Sequence, residues 1–531
     1  MPDMHDADAI VIGAGPNGLV AANVLADAGW DVLVLEANRE PGGAVRTGEV
    51  TAPGFRNDLF SAFYPLAVMS PAMRRLGLEA HGLRWAYAPT VLAHPLVGRA
   101  AGILSRDIDV TAASLDAFAP GDGDAWRDLY SRFDRIGGAF VDALLGPFPP
   151  LRAGAKLGLK VGPRGGLELG RLAIVPVRRL AEETFRGEGG GLLLTGNSLH
   201  ADISPEGAGS GLLGWMMTAL GQHHGFPVPQ GGAAALTEAL VARLESRHGR
   251  VVTEARVVHV DVRAGRAVGV QTAGGDRIGA ARAVLADCDA VALYRNLVGD
   301  AHLPERLRRG LDAFHRGPGT VKVDWALDRP IPWTDASVRP AGTVHIADSL
   351  DELSFTATQL ATGFVPDKPF VLLGQMTTAD PTRSPAGTES AWAYSHVPAT
   401  VKGDAGPDDI RGKWDERETE AFVARMEDRI EVHAPGFRDH VVARHVFTPP
   451  ALEQADANLV SGDISGGTAQ LHQSLVFRPV PGSMARPETP IKGLYLASAS
   501  AHPGGGVHGA CGANAARAAL AHDRFRRSRR A

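Results

Sequence analysis

The chain has 531 residues, 44% of them hydrophobic and 21% charged, a length that asks for more than one core and a composition that excludes disorder. Its formal net charge of −5 gives no footing for nucleic acid as a partner. The two cysteines, Cys288 and Cys511, lack CxxC spacing, which excludes a cysteine-rich zinc or iron–sulfur site and suits a reducing cytoplasm.

The acidic opening MPDMHDAD carries no mark of a signal peptide, and no apolar run is long enough to span a bilayer. A cytoplasmic location is the expectation. Residues 9–12 (AIVI) predict a buried strand, and Leu19, Ala22 and Leu25 mark one face of a helix that Gly29 ends. A second strand follows at 31–36 (DVLVLE). From about 75 to 227 the pattern is mixed helix and loop, rich in Gly and Pro. Within it, 136–162 (IGGAFVDALLGPFPPLRAGAKLGLKVG) is apolar, broken by Gly and Pro, and basic towards its end. That composition fits packed helix, a greasy tunnel lining, or a surface that touches lipid.

A helix is predicted over 232–247, then a β-hairpin on the alternation of Val258, Val260, Val262, Val268 and Val270 around a Gly265–Arg266 turn. Residues 281–290 (ARAVLADCDA) read as a buried strand ending in a polar bend. A second β-rich block begins at TVKVDWAL (320–327), continues through PFVLLGQMTT and AWAYSHVP, and ends in the charged helix ERETEAFVARMEDRIEVHAPG. The C-terminus predicts a strand at 493–500, a glycine turn and an Ala-rich helix over 508–521. The basic tail HDRFRRSRR (522–530) is expected as a frayed, solvated end, with contact to a lipid surface as the alternative. No internal repeat or low-complexity linker interrupts this order.

The chemistry starts at Gly13-x-Gly15-x-x-Gly18 between the first strand and helix. The first glycine permits the tight turn, the second admits a pyrophosphate to the backbone, and the third lets helix and strand pack closely. Glu36, with Ala37 beside it, ends the second strand where a carboxylate can bind both ribose hydroxyls and would repel a 2′-phosphate. Gly209-x-Gly211-x-x-Gly214 also matches, but the preceding ADISPEGA is no buried strand, so one dinucleotide site remains. Six residues beyond Glu36, Gly42-Gly43 lets the chain pass close to an extended flavin. Here the sequence resembles the large FAD-dependent family of phytoene desaturases, amine oxidases and retinol saturase, which implies FAD.

The segment 493–520 (GLYLASASAHPGGGVHGACGANAARAAL) combines a strand, a small-residue bend, Pro503, three glycines and a helix N-terminus. Such a helix start can aim its positive end at the flavin edge where negative charge collects on reduction. The segment resembles the C-terminal flavin motif of the phytoene desaturase family, especially a bacterial and mitochondrial branch called pyridine nucleotide–disulfide oxidoreductase domain 2. QSLVFRPVPG (473–482) and FVLLGQMTTADPTRSPAG (370–387) carry the same likeness, which is poorest over 80–190. The resemblance implies that Gly504, Gly505, Gly506, His508 and Gly509 lie against the flavin and ribityl chain, and that the Val257 backbone meets the adenine. Two departures stand out. Ala44 follows the glycine pair where relatives often carry Arg, which leaves Arg46 as the candidate phosphate contact, and NDLFS (57–61) replaces an FDxGP-like run.

By the same resemblance Lys322 sits where amine oxidases hold a water near flavin N5; the alternative is an exposed strand lysine. His502 and His508 flank the glycine turn as acid/base candidates or as structural rings. His200, His223, His224 and His472 are scattered without a carboxylate pattern, so no metal is expected. Cys511 reads as a small packing residue at a helix start. No GxSxG, P-loop or HExxH is present.

The expectation is an α/β protein with a discontinuous, glutathione-reductase-type FAD-binding Rossmann domain (1–75, 228–300 and 480–531). An inserted α+β substrate domain would hold 76–227 and 301–479. Without an NAD domain or CxxC, a disulfide-reductase mechanism is unavailable. The resemblance implies a dehydrogenase or desaturase taking hydride from a lipophilic, polyene or isoprenoid-like substrate, with oxygen or a quinone as electron acceptor. An amine oxidase, a redox-neutral isomerase using reduced FAD, and a flavin-loaded scaffold are the alternatives, and peripheral membrane contact is a further option.

Overall fold

Two seven-stranded sheets organise residues 6–528, the part of the chain that the computed structural model describes. In the first, Ala7–Ile12 runs parallel to Val32–Leu35 on one side and to Arg277–Ala286 on the other. Arg250–Val252 extends the parallel row beyond Val32–Leu35, and Leu494–Leu496 joins Arg277–Ala286. Alternate residues of the opening strand go opposite ways: Ala9 and Val11 enter one apolar layer, Ile10 and Ile12 the other. The first layer is helical, with α1 (Pro16–Asp27), Ala234–Glu245 and the C-terminal helix Ala510–Ser528. All seven strands of this sheet come from within 1–75, 228–300 and 480–531.

The second sheet runs in the order Val441–Phe447, Gly319–Leu327, Glu389–Val397, Val371–Gln375, Ala341–Ile346, Thr90–Leu96, Arg99–Leu104. It is antiparallel except where Ala341–Ile346 meets Thr90–Leu96. One face carries Val321, Val323, Trp325 and Leu327 against Phe422, Val423, Met426 and Ile430 of the helix Glu416–His433. Between the sheets' segments, α2 (Asp122–Leu145), α3 (Leu151–Leu172) and the helices Val177–Thr184, Glu188–His200 and Ser210–His224 form a bundle.

The structure corrects several sequence expectations. The hairpin turns at Ala264–Gly265, not Gly265–Arg266: both residues take positive φ (48° and 72°), as a two-residue turn matching strand twist requires. Its valine alternation breaks at Val258, 44% exposed, because a register shift between Val257 and His259 turns Val257 inward. The C-terminal strand shortens to Leu494–Leu496. The basic tail is helical through Ser528, where Arg526 and Arg527 both pair with Asp523, and residues 529–530 lie outside the described residues.

The C-terminal helix crosses α1 so closely that a Cβ on Gly512 would stand 1.8 Å from the Asn17 carbonyl oxygen. Gly512→Ala is therefore expected to lower stability by about 1–3 kcal/mol, the range for overpacking. A chemical denaturation midpoint checks it, and an unchanged midpoint contradicts the contact.

Candidate active site

The Gly13–Gly18 turn is held in one conformation from several sides. Gly13 has φ +92°, and its N–H donates to the Leu35 carbonyl at 2.8 Å. A Cβ on Gly18 would lie 2.2 Å from the Gly13 oxygen, so a side chain there forces strand and α1 apart. Gly42 donates its N–H to the Ala14 carbonyl at 2.9 Å, and Gly43, with φ +53°, brings a would-be Cβ to 3.1 Å from the Gly15 Cα. The second glycine pair thus lies directly on the first. Buried Glu36 accepts from the Ala14 and Asn38 N–H groups at 2.8 Å each, one per carboxylate oxygen, which leaves a lone pair on each for ribose hydroxyls. Ala37 follows at the surface. Ala255 N–H donates to the Glu36 carbonyl at 2.8 Å, placing Val257 just beyond. The buried Asn17 Oδ1 at the start of α1 has no partner among the described residues. A bare glycine cradle, a helix N-terminus, a ribose-binding carboxylate and an orphaned amide oxygen fit a dinucleotide diphosphate.

Arg46 reaches back to the Gly43 and Ala455 carbonyls, 2.8 Å each, and lies 5.0 Å from the Phe60 ring centroid. Phe60 in turn stacks on Phe447 of the second sheet at 5.9 Å. At the C-terminal turn, Gly504 and Gly506 take positive φ, and a Cβ on Gly505 would meet the Ser465 carbonyl at 2.9 Å. Gly509, also at positive φ, presses on Val20 of α1. His508 accepts the Ala510 N–H on Nδ1 at 3.0 Å, and burial pulls its ring down to about 4. It caps the C-terminal helix. His502 stays beside the turn, its ring 6.1 Å from Phe148, and burial likewise pulls it down to about 4. Neither ring is an imidazolium near neutral pH, so neither serves there as a cationic general acid. Cys511 is fully buried, and burial pushes its thiol up to about 12, which suits packing.

The second sheet turns a polar face towards these turns. Period-2 alternation puts Thr320, Lys322 and Asp324 opposite His396, Tyr394 and Trp392, with Phe447 and His445 on the outer neighbour and His345 further in. Lys322 is 3% exposed, which overturns the exposed strand lysine: its Nζ donates to Asp324 Oδ2 at 2.5 Å and sits 5.8 Å from the Trp392 centroid. His396 Nε2 lies 2.7 Å from Asp202, which also accepts from Ser465 Oγ at 2.5 Å. His200 joins this face against His345 and Tyr394, with ring centroids 6.1 and 6.2 Å away. His223 and His224 lie instead in a cleft with Arg74 and Asp134, and His472 stacks on His315. No group of three or more His, Cys, Asp or Glu among the described residues is placed to hold a metal ion.

The model of flavin containing amine oxidoreductases matches residues 105–391, more than half of the chain, and that of NAD(P)-binding Rossmann-like domains matches residues 11–76. The chain belongs to the flavin-containing amine oxidoreductase family. It is 31% identical over 554 residues to the mouse protein named pyridine nucleotide-disulfide oxidoreductase domain-containing protein 2, covering 96% of this chain and 92% of the relative. A limonene dehydrogenase chain of Castellaniella defragrans is 23% identical over 543 residues, covering 97% and 95%. A lycopene-forming phytoene desaturase of Pantoea ananas is 26% identical over 529 residues, covering 96% and 98%. Wild-type putrescine oxidase bound to putrescine shares the fold, with a TM-score of 0.60 at 16% identity over 97% of this chain and 98% of that one. The protein is a flavin-dependent oxidoreductase, and its cofactor is FAD.

Sequence reasoning missed three groups of this flavoenzyme's site. Arg478 is buried and donates to the carbonyls of Ser465, Gly466, Thr468 and Ala499, tying the 465–468 loop to the C-terminal glycine turn. It lies inside the QSLVFRPVPG likeness, a signal left unread. The Asp202–His396 pair had half a signal, since Trp392, Tyr394 and His396 recur at strand period; Asp202, after a helix end, had none.

Asp287, in the polar bend, is the third. Its Oδ2 accepts the Gly18 N–H at 2.7 Å, so a carboxyl stands inside the diphosphate cradle. Burial pushes Asp287 up to about 8; the Gly18 N–H opposes this, and the nearby Asp456 and Glu36 carboxylates add to it. The group is therefore neutral near pH 7 and becomes an anion above pH 8, beside a cofactor that is itself anionic. FAD affinity is expected to fall between pH 7 and 9. Asp287→Asn keeps an acceptor for Gly18 and should flatten that profile, binding FAD about 10-fold tighter than wild type at pH 9. Equilibrium dialysis with FAD measures this, and a variant with the wild-type pH profile contradicts it.

Proposed function

We propose that this flavoenzyme is a dehydrogenase or desaturase that introduces a double bond into an uncharged, lipophilic substrate of polyene or isoprenoid type, with oxygen or a quinone as electron acceptor. The observation that carries the reading is the charge balance of the second sheet's polar face. On that face Lys322 is paired with Asp324 and His396 with Asp202, and beside it Asp58, on the short strand Asn57–Asp58, is paired with Arg383 at 2.9 Å. Burial takes His94 and His200 down to about 4 and His345 well below its ordinary value, so all three are neutral. Such a surface offers a cationic amine no unpaired carboxylate, while Trp392, Tyr394 and Phe447 offer an apolar substrate large flat contacts. The names of the desaturase and limonene dehydrogenase relatives agree with that chemistry. A glutathione-reductase-type arrangement, with the FAD domain built from 1–75, 228–300 and 480–531 and the substrate domain from 76–227 and 301–479, belongs to this proposal.

When bound, FAD supplies a hydride acceptor at N5. Double-bond formation also releases a proton from the adjacent carbon, and Asp324 is the group suited to take it. Its Oδ1 is buried with no partner among the described residues. Burial raises its carboxyl to about 6, with Lys322 opposing, so it is an available base at neutral pH. Lys322 holds that carboxylate in place, and Trp392 covers the pair.

The buried Lys322 also supports a second reading, amine oxidation, since the resemblance implies that a lysine there holds a water near N5. Against it, Trp392 and Tyr394 stack on each other, ring centroids 5.9 Å apart and planes 2° from parallel, rather than flanking a separate amine site.

The test follows the flavin's visible absorbance without oxygen. Detergent-dispersed isoprenoid polyenes should bleach the FAD-loaded protein, whereas putrescine, simple amines and NADPH should not. Bleaching by amines alone transfers the assignment to amine oxidation, and bleaching by no donor overturns both. In Asp324→Asn the bleaching rate should fall about 100-fold, and the rise through pH 6 shown by wild type should disappear.

A further inference from the structure

We infer that α3 is a docking surface for a lipid bilayer bearing anionic headgroups. None of its residues is buried. Its inner side, Leu157, Val161, Leu169 and Leu172, rests on the helical bundle. The other side holds large apolar residues open to solvent: Leu151, Leu159 and Leu167 are 76%, 88% and 79% exposed, and Ile174 just beyond is 63% exposed. Leu151 and Leu159 stand eight residues apart with Ala155 between them, one continuous stripe at the helical period. Isolated exposed leucines need no account, but a row of them along one helix does.

Charge selects the partner. Arg152, Lys156 and Lys160 follow the apolar stripe one residue on, and Arg164 and Arg171 continue the series past a kink at Gly162 and Pro163. Five basic residues against one acidic residue, Glu168, make the helix +4 in a chain whose net charge is −5. Arg164 pairs with Glu168 and Arg171 with Glu183, whereas Arg152 and Lys156 have no ion-pair partner among the described residues. A second copy of this acidic chain would meet the leucines but leave the cations only scattered carboxylates; an anionic bilayer satisfies both stripes at once. No helix of the described residues is long and apolar enough to cross a membrane, so α3 would lie in the interface.

The position of α3 gives the docking a purpose. The turn between α2 and α3 reaches the C-terminal flavin platform: Phe148 meets the His502 ring edge-on at 6.1 Å, and Asn514 Nδ2 donates to the Leu145 carbonyl at 3.2 Å. A membrane under α3 therefore stands at the end of a hairpin whose other end touches the site. Docking itself does not rest on the substrate assignment, and either can fail alone.

The experiment is co-sedimentation of the full-length, FAD-loaded protein with vesicles of phosphatidylcholine, with and without ~30% phosphatidylglycerol. Binding to the anionic vesicles should exceed binding to neutral ones by about 10-fold and weaken in about 0.5 M salt. Leu159→Glu with Leu167→Glu should abolish it, and Arg152→Glu with Lys156→Glu should remove the preference for anionic lipid. Both pairs sit on exposed positions and should keep the wild-type flavin spectrum and Tm. No pelleting, or pelleting unchanged in both pairs, overturns the proposal. So does a wild-type dimer that the leucine pair converts to monomer by light scattering without any vesicle binding.

Discussion

The close approach of α1 to its surroundings is the constraint on which the rest of the molecule depends. Its N-terminus lies in a glycine cradle suited to a diphosphate, so the first strand, the Gly42–Gly43 turn and the end of the Arg277–Ala286 strand all converge on it, with Asp287 as the side chain that enters between them. The C-terminal helix then packs against it at Gly512, which brings the C-terminal glycine turn to the first. One short helix thereby fixes where two distant parts of the chain meet. The same closeness admits a carboxyl, Asp287, that burial, aided by the nearby Asp456 and Glu36, keeps uncharged near neutral pH.

The second sheet answers with chemistry rather than with shape. Its apolar face is consumed by the helix Glu416–His433, and its other face, which faces the glycine turns, carries histidines, a lysine, three aromatic rings and a carboxylate. In a low-dielectric setting each charge there requires a partner, and each has one. Ser465 links the Asp202–His396 pair to the loop that Arg478 holds against Ala499. Phe447 and Phe60 link the sheet's far edge to Arg46. Site and scaffold are therefore one connected set of contacts, so a change at Arg478 reaches the C-terminal glycine turn and the sheet together.

The N-terminal strand–glycine–helix turn with Glu36 at the next strand's end, and the C-terminal strand–glycine–helix segment, were legible in the sequence because each is local: strand, glycines and helix follow one another within a few tens of residues. The strands at 320–327 and 389–397 were legible as alternation, but their polar face was not. Whether Lys322 points to water or into the protein depends on what covers the sheet, and alternation alone is silent about that. The hairpin turn was misplaced by one residue because Ala264 accepts a positive φ that a reading by residue type assigns to glycine and its neighbour.

By itself, then, the sequence determined the cofactor and the kind of domain that holds it, since glycine spacing and a strand-end carboxylate act through backbone geometry that few residues allow. Only the tertiary structure decided which charges the site contains and how they balance. Asp287 enters the cradle from 269 residues away, and Asp202 finds His396 across the fold. It also decided that the leucines of α3 face outward, because a helix's buried side is set by its neighbours. Those outcomes depend on long-range packing, which residue order alone does not express.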